Sequence, residues 1–472
     1  MNCDKVLYFF EKINEIPRGS GNEKAISDYL AAFARERGLW VHQDKANNVI
    51  IKKPGSKGYE NHGAVVIQGH MDMVCEKNPD VIHDFEKDPI KVIYDGDFIH
   101  ADGTTLGADD GIAVAMAMAL LDDKEAVHPP LEAVITTDEE VGMLGAANLD
   151  TTLIEGRRLL NIDSEEEGIF TAGCAGGVKT ESVIPVEFTV PSYNNFLKIT
   201  VTGLEGGHSG IDICKERANA NKVMARVLDR LVNIEKAEIA YVMGGAKDNA
   251  IPRYAESVVA CKDIESLKAT VNIVSEEISA EYAVTDRNIE INSADTERAE
   301  RVFSADSAKK IIAAIMLMPN GIQSMNLDLH MAESSNNIGV VKMKEDSVAL
   351  ICAVRSSVIT RKNYIKTQIE ELTKLCGGIT ESHGDYPAWE YKVKSPLRDL
   401  FIEVYKDCYN ETPKVETVHA GLECGLIAEK VPDMDMISFG PNLFDIHTPK
   451  ERASISSIER VWNFLCQVLA RM

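Results

Sequence analysis

At 472 residues the chain is too long for one typical core, which predicts two or three domains, each able to bury an apolar interior. Acidic side chains outnumber Lys and Arg by 74 to 50, a net charge of −24, so nucleic acid and anionic membrane are repelled and excluded as partners. Ten cysteines without a C-x-x-C pair exclude a zinc ribbon and a disulfide framework. No apolar run reaches membrane-spanning length, and Asp4, Lys5, Glu11 and Lys12 interrupt any leader-like core, so a cytoplasmic enzyme or binding protein is expected.

Residues 22–37, NEKAISDYLAAFARER, carry apolar positions at helical spacing and predict an amphipathic helix. The loop before them, RGSGNE, follows no strand and lacks a third glycine, which predicts a helix-capping loop rather than a nucleotide fingerprint. Strands are expected at NNVIIKK and GAVVIQG, a helix at DDGIAVAMAMALLDD, and strands again at LEAVITTD and RRLLNID, ahead of the glycine-rich TAGCAGG. This alternation over residues 1–187 predicts an α/β domain with a mixed, mostly parallel sheet. Ligands collect at the carboxyl ends of strands in such sheets.

From residue 188 the pattern changes. A strand, a long amphipathic helix and another strand read around NFLKITVTG, ERANANKVMARVLDRLVNI and AESVVAC; IGVVKMKEDSVALICAVRSS and KNYIKTQIEELTKLCG resemble them. That points to a weak internal duplication of an α+β unit. From SPLRDLFIEVYKDCYN onward the chain returns to the opening pattern. Residues 1–187 and 397–472 are therefore expected to form one domain, with 188–396 inserted into it.

Five stretches place acids or histidine where a strand gives way to a loop: GHMD with His70 and Asp72, TLGADDG with Asp109 and Asp110, TTDEEVG with Glu139 and Glu140, LLNIDSEEEG with Asp163, and FDIHTPKE with His447. His70 and Asp72 alone read equally well as a core histidine satisfied by an acid. Together the five offer a hard-to-borderline N,O donor set, suited to Zn²⁺, Mn²⁺ or Co²⁺. Two ions about 3.5–4 Å apart need a shared ligand, so one would take His70 and Asp163, the other Glu140 and His447, with Asp109 bridging. Asp72 would orient His70 through its free ring N–H. Glu139 would take a proton from a bridging water whose pKa the metals lower to about 7, then hand it to the leaving amine.

With LEGGHSG and GGAKDNAIP, these motifs resemble the di-zinc metallopeptidases that include aminoacylases, carnosinases and glutamate carboxypeptidases. IPRGSGNE, HAGLECGL and the long insertion resemble more closely the aminoacyl-histidine dipeptidases, also called cytosolic non-specific or β-alanyl-histidine dipeptidases. The resemblance spans nearly the whole chain. It implies a catalytic domain holding two zinc ions, an inserted lid domain, the ligand roles above and a cis Asp109–Asp110 peptide. It implies that His208 polarises the scissile carbonyl and that Asn249 and Arg355 bind substrate, Arg355 matching a carboxylate with its fork. Glu423 would either meet the substrate's amino group or cap a helix. In simple relatives the lid histidine comes from a partner subunit; a duplicated lid would supply it within one chain, so the resemblance leaves a homodimer open.

The expected activity is metal-dependent hydrolysis of small dipeptides, preferring C-terminal histidine. A tripeptidase or an N-acyl amino acid deacylase would use the same scaffold, and a non-catalytic peptide- or metal-binding protein is the reading of another class. Glu139 beside a complete ligand set argues for an enzyme. A serine hydrolase is excluded, since Ser209 lacks the Gly-x-Ser-x-Gly frame. His42, His62, His83, His100, His128, His330, His383 and His419 receive no role.

Overall fold

The apolar run Val65–His70 is buried along its whole length, as a strand covered on both faces must be. It lies inside an eight-stranded sheet in the order Trp40–Gln43, Val49–Lys53, Leu131–Thr136, Val65–His70, Arg158–Asn161, Asp435–Ser438, Ile169–Cys174, Lys414–Val418. The four strands from Leu131–Thr136 to Asp435–Ser438 run parallel to one another. Val49–Lys53 and Ile169–Cys174 flank them antiparallel, so the sheet is mixed with a parallel centre.

The computed structural model describes residues 3–472, and the chain divides into two units: residues through Cys174 with Tyr391–Thr417 and Leu422–Met472, and Ala175–Glu390 with Val418–Gly421. The chain leaves the first unit at Ala175, before residue 187, because Gly176–Pro185 pairs with Ser347–Ser356 in the second unit's sheet, and it returns at Tyr391, before residue 397.

In the first unit the helix Ala108–Asp122 is buried on nearly every side, which its Ala- and Met-rich sequence permits. Gly69 lets it approach the central strand, since a Cβ there would overlap the Asp110 carboxylate and Ala113. The helices Pro396–Tyr409 and Ile455–Ala470 return from the far end of the chain and share that core. Phe464 packs 5.3 Å from Phe401 and 5.6 Å from Phe170, centroid to centroid, so both ends of the chain close one interior.

The second unit is a nine-stranded sheet whose paired strands run antiparallel. Along Asn195–Thr202 the alternate residues Leu197, Ile199 and Val201 enter the core, the period-two signature of one covered face. Helices Ala220–Ile234, Ile264–Glu281, Ala305–Leu317 and Ile359–Leu375 supply the other side of that core. The two segments that resemble each other in sequence occupy opposite parts of this one sheet, which join where Gly244 pairs with Val341.

Phe464→Ala is expected to destabilise the first unit by about 3–5 kcal/mol. Hydrogen exchange in rising urea should show the amides of Ile455–Ala470 opening earlier, with those of Ala220–Ile234 unchanged.

Candidate metal centre

Three parallel strands end on the same edge of the first unit's sheet. His70 is in register with Thr136, and Gln68 with Asn161, so Asp72, Glu139, Glu140 and Asp163 follow just beyond the carboxyl ends. Asp109 comes from the start of the helix Ala108–Asp122, where neither Asp109 nor Asp110 is helical and the peptide between them is cis. His447 lies in the loop between Leu443–Phe444 and Arg452–Ser454, with φ 59°, the left-handed region that few non-glycine residues enter.

These side chains form two donor sets joined at Asp109. His70 Nε2 lies 3.2 Å from Asp109 Oδ1 and 3.5 Å from Asp163 Oδ1. His447 Nε2 lies 3.0 Å from both Asp109 Oδ2 and Glu140 Oε1. Tetrahedral zinc with bonds near 2.0–2.2 Å has ligand-to-ligand edges of about 3.3–3.6 Å; the His70 spacings lie close to that, and the His447 contacts at 3.0 Å would open by a few tenths of an ångström around a cation. The His70 tautomer fits as well. Its Nδ1 faces only acceptors, the Asp72 carbonyl oxygen at 3.2 Å and Asp72 Oδ1 at 3.3 Å, so with a cation at Nε2 the ring's one proton would sit on Nδ1. Asp110 also approaches His70 and Asp163, but its Oδ2 already accepts the His70 backbone N–H at 3.2 Å.

So many carboxyls cannot all ionise together, and their pKa values separate. Burial works against every charge here. For His70 it is outweighed by Asp109, Asp163 and Asp72, which raise the imidazole well above its ordinary range; bonds to Asp109 and Glu140 lift His447 to about 10. Both histidines in turn hold Asp109 below the usual carboxylate range despite its burial. For Asp163 burial wins, pushing it up to about 6. Burial pushes Glu139 up to about 9, with Asp163, Glu423 and Glu140 adding to the rise against the pull of His70. The imidazolium charges thus stand where the charge of metal cations would act.

Buried groups to which the sequence assigns another role, or none, hold the centre. Glu451 accepts the N–H groups of Leu106 at 2.7 Å, Gly107 at 3.0 Å and Ala108 at 2.7 Å, tying the loop that bears Asp109 to the segment that bears His447. Its place in FDIHTPKE was the available signal. Glu423 is fully buried; its Oε2 accepts Gln68 Nε2 at 2.6 Å and the Thr136 hydroxyl at 2.5 Å. It makes no cap bond to the helix Glu423–Lys430 and, being fully buried, presents no surface to a substrate amine. The RGSGNE loop does not cap the helix Lys24–Glu36 either: Ser20 and Gly21 bond to Asp72 and Asp138 instead.

The sequence pattern of Peptidase family M20/M25/M40 matches residues 66–471, which include the whole donor set. The chain belongs to this family. It is 38% identical to the cytosol non-specific dipeptidase of Escherichia coli over 98% of this chain and 96% of that protein. The crystal structure of the aminoacylhistidine dipeptidase from Vibrio alginolyticus superposes with a TM-score of 0.95 at 36% identity, covering 99% of this chain and 96% of that one. Aminopeptidase PepT from Bacillus cereus, at 15% identity and a TM-score of 0.59 over 100% of this chain and 98% of that one, shares the fold alone.

The second unit of this M20 peptidase carries His208, Asn249 and Arg355. His208 Nδ1 accepts the N–H groups of Gly210 at 3.3 Å and Ile211 at 3.2 Å, so the neutral ring keeps its proton on Nε2 as a donor. Burial and the nearby Arg355 charge lower its pKa, against Asp212. Arg355 donates from Nη1 to the Tyr386 hydroxyl at 3.0 Å, while its buried Nε has no hydrogen-bond partner. Asn249 is exposed, and its carbonyl accepts the Ser209 N–H at 2.9 Å. His419, given no role from sequence, pairs with Ser335 Oγ at 2.8 Å, and burial, with Arg355 and His208, pushes it down to about 4.

Glu423 yields a pH prediction. Burial raises it to about 7, above its unfolded value, so the protonated carboxyl is the form the fold prefers; stability is retained below about pH 4.5 and lost as pH climbs to about 7. Glu423→Gln keeps an acceptor for Gln68 and Thr136 and should remove that loss. Thermal unfolding of the metal-free variant at pH 8 is expected to show a gain on the order of 1–3 kcal/mol, with little difference from wild type at pH 4.5.

Proposed function

We propose that this M20 peptidase is a metallodipeptidase that removes C-terminal histidine from aminoacyl-histidine dipeptides such as β-alanyl-histidine. The observation that carries the reading is the pair of N,O donor sets joined through Asp109, with Glu139 beside them. The substrate class is supported by two relatives matched over nearly their whole length, whose names specify dipeptides and aminoacylhistidine. The cytosol named for the Escherichia coli relative supports the same compartment here.

His70 and Asp163 would hold one cation, Glu140 and His447 the other, with Asp109 shared. When bound, two divalent cations, zinc by the character of the donors, polarise a peptide carbonyl and bring the pKa of a water to about 7. The chain's own groups supply the rest. Asp72 holds the His70 ring in the tautomer that turns Nε2 outward. Glu139 takes the proton of the attacking water and delivers it to the amine nitrogen as the C–N bond breaks. His208 donates from Nε2 to the peptide oxygen, Arg355 turns its fork to the terminal carboxylate, and Asn249 offers its amide to the substrate backbone. Glu423 acts from behind, fixing Gln68 and Thr136.

Purified protein loaded with zinc should cleave β-alanyl-histidine and glycyl-histidine. Glu139→Ala is expected to lower kcat by about 10²–10⁴-fold while still binding two metals per chain by elemental analysis. Full metal occupancy with no dipeptide cleaved by the wild type would sink the reading. Arg355→Ala should raise KM for dipeptides by about tenfold or more, roughly the loss of one charge-assisted contact, and leave the KM of a C-terminal amide nearly unchanged.

A further inference from the structure

The loop Arg18–Glu23 lies ahead of the residues matched by the family pattern, which begin at 66, and nothing in the proposed chemistry uses it. Its bonds nonetheless reach three of the segments that carry the donor set. Arg18 is buried, and its guanidinium donates to the carbonyls of Met71 at 3.0 Å and Asp72 at 3.4 Å through Nη1, and to Gly107 at 2.6 Å through Nη2. Ser20 Oγ donates to Asp72 Oδ2 at 2.8 Å. The Gly21 N–H donates to Asp138 Oδ1 at 3.0 Å, and Glu23 Oε1 accepts the Asp138 N–H at 3.1 Å. Gly21 has φ 82° and Asp138 φ 52°, so two left-handed turns meet back to back.

Asp72 is the point where these contacts converge. Its Oδ1 serves His70 Nδ1 at 3.3 Å and the Glu139 N–H at 3.1 Å, and its Oδ2 serves the Glu140 N–H at 3.3 Å. One carboxylate therefore sets the ring of a ligand histidine and the backbone of both adjacent glutamates. The Ser20 bond, at 2.8 Å, comes from outside the strand ends and gives Oδ2 its second donor beside the Glu140 N–H, so it shares in setting the carboxylate's rotation about χ2. Without it the Oδ2 side keeps only the longer Glu140 contact.

We propose that residues 18–23 are a positioning brace for the metal centre, in which the Ser20 hydroxyl fixes Asp72 and thereby His70, Glu139 and Glu140. This rests on the reading of His70 as a ligand and Glu139 as the proton-transfer group. Ser20 touches no reacting atom, so its role is positioning.

The test uses the full-length protein, wild type, Ser20→Ala and Ser20→Thr, with Co²⁺ as the probe. Metal-free protein is titrated while the visible Co²⁺ absorption is followed against a competing chelator, and kcat and KM for glycyl-histidine are measured separately. Removing a group that orients a metal ligand weakens binding by about 10–100-fold. Ser20→Ala is expected to do so and to change the Co²⁺ band, with kcat lowered about tenfold or more and KM nearly unchanged. Ser20→Thr, which keeps the hydroxyl, should recover the affinity, the band and kcat. Co²⁺ affinity and kcat in Ser20→Ala within about twofold of wild type would overturn the brace while leaving the centre intact. A wild type that takes up no Co²⁺ would overturn the metal reading itself. Should Ser20→Ala not fold, Ser20→Thr decides: a soluble Ser20→Thr protein with wild-type affinity and kcat supports the brace, and one that has lost both overturns it.

Discussion

Mutual repulsion among carboxylates is the constraint on which the first unit's architecture depends. Asp72, Asp109, Glu139, Glu140 and Asp163 are brought together where parallel strands end and a buried helix begins, a place where their charges are poorly solvated. Positive charge must enter if most of them are to stay ionised. The two histidines reach in from opposite sides of Asp109 and show where it enters. Asp109 divides its oxygens between them, one to each histidine.

Such a cluster keeps its shape only if the loops that present it are held from outside. The holding groups are themselves buried and polar, and each spends its donors or acceptors on backbone. Glu451 gathers the N–H groups that lead into Asp109, Arg18 gathers carbonyls on either side, and Asp72 gathers the turn of Glu139 and Glu140. A side chain anchored to backbone moves little when the charge beside it changes, which is the preorganisation that catalysis by electrostatics requires. The second unit follows the same rule at His208, whose tautomer is fixed by two backbone N–H groups.

Much of this was legible in the chain. The strand Val65–His70 announces itself by the apolar Val65-Val66-Ile67 leading into Gln-Gly-His-Met-Asp, and the alternation of strands with helices gives the parallel centre of the sheet. The candidate donors stand out because five acid- or histidine-bearing stretches lie at or near places where a strand gives way to a loop. What could not be read were the partners of buried polar groups. Ser20 and Asp72 are 52 positions apart, and Leu106 and Glu451 are 345 apart; no local pattern joins them. The RGSGNE loop therefore read as a helix cap, the commonest local use of Ser, Asn and Gly before a helix. Glu423 read as a cap or a substrate contact because its burial behind Gln68 and Thr136 is a property of the sheet.

The sequence by itself determined the element types, the insertion of one α+β unit into an α/β unit, and the chemical character of the donors, because periodicity and residue type are local. Only the tertiary structure decided which oxygen of Asp109 meets which histidine, which nitrogen of His70 faces Asp72, and which acids hold backbone. Those depend on strand register and on hydrogen bonds between distant segments, which exist only once the chain has closed on itself.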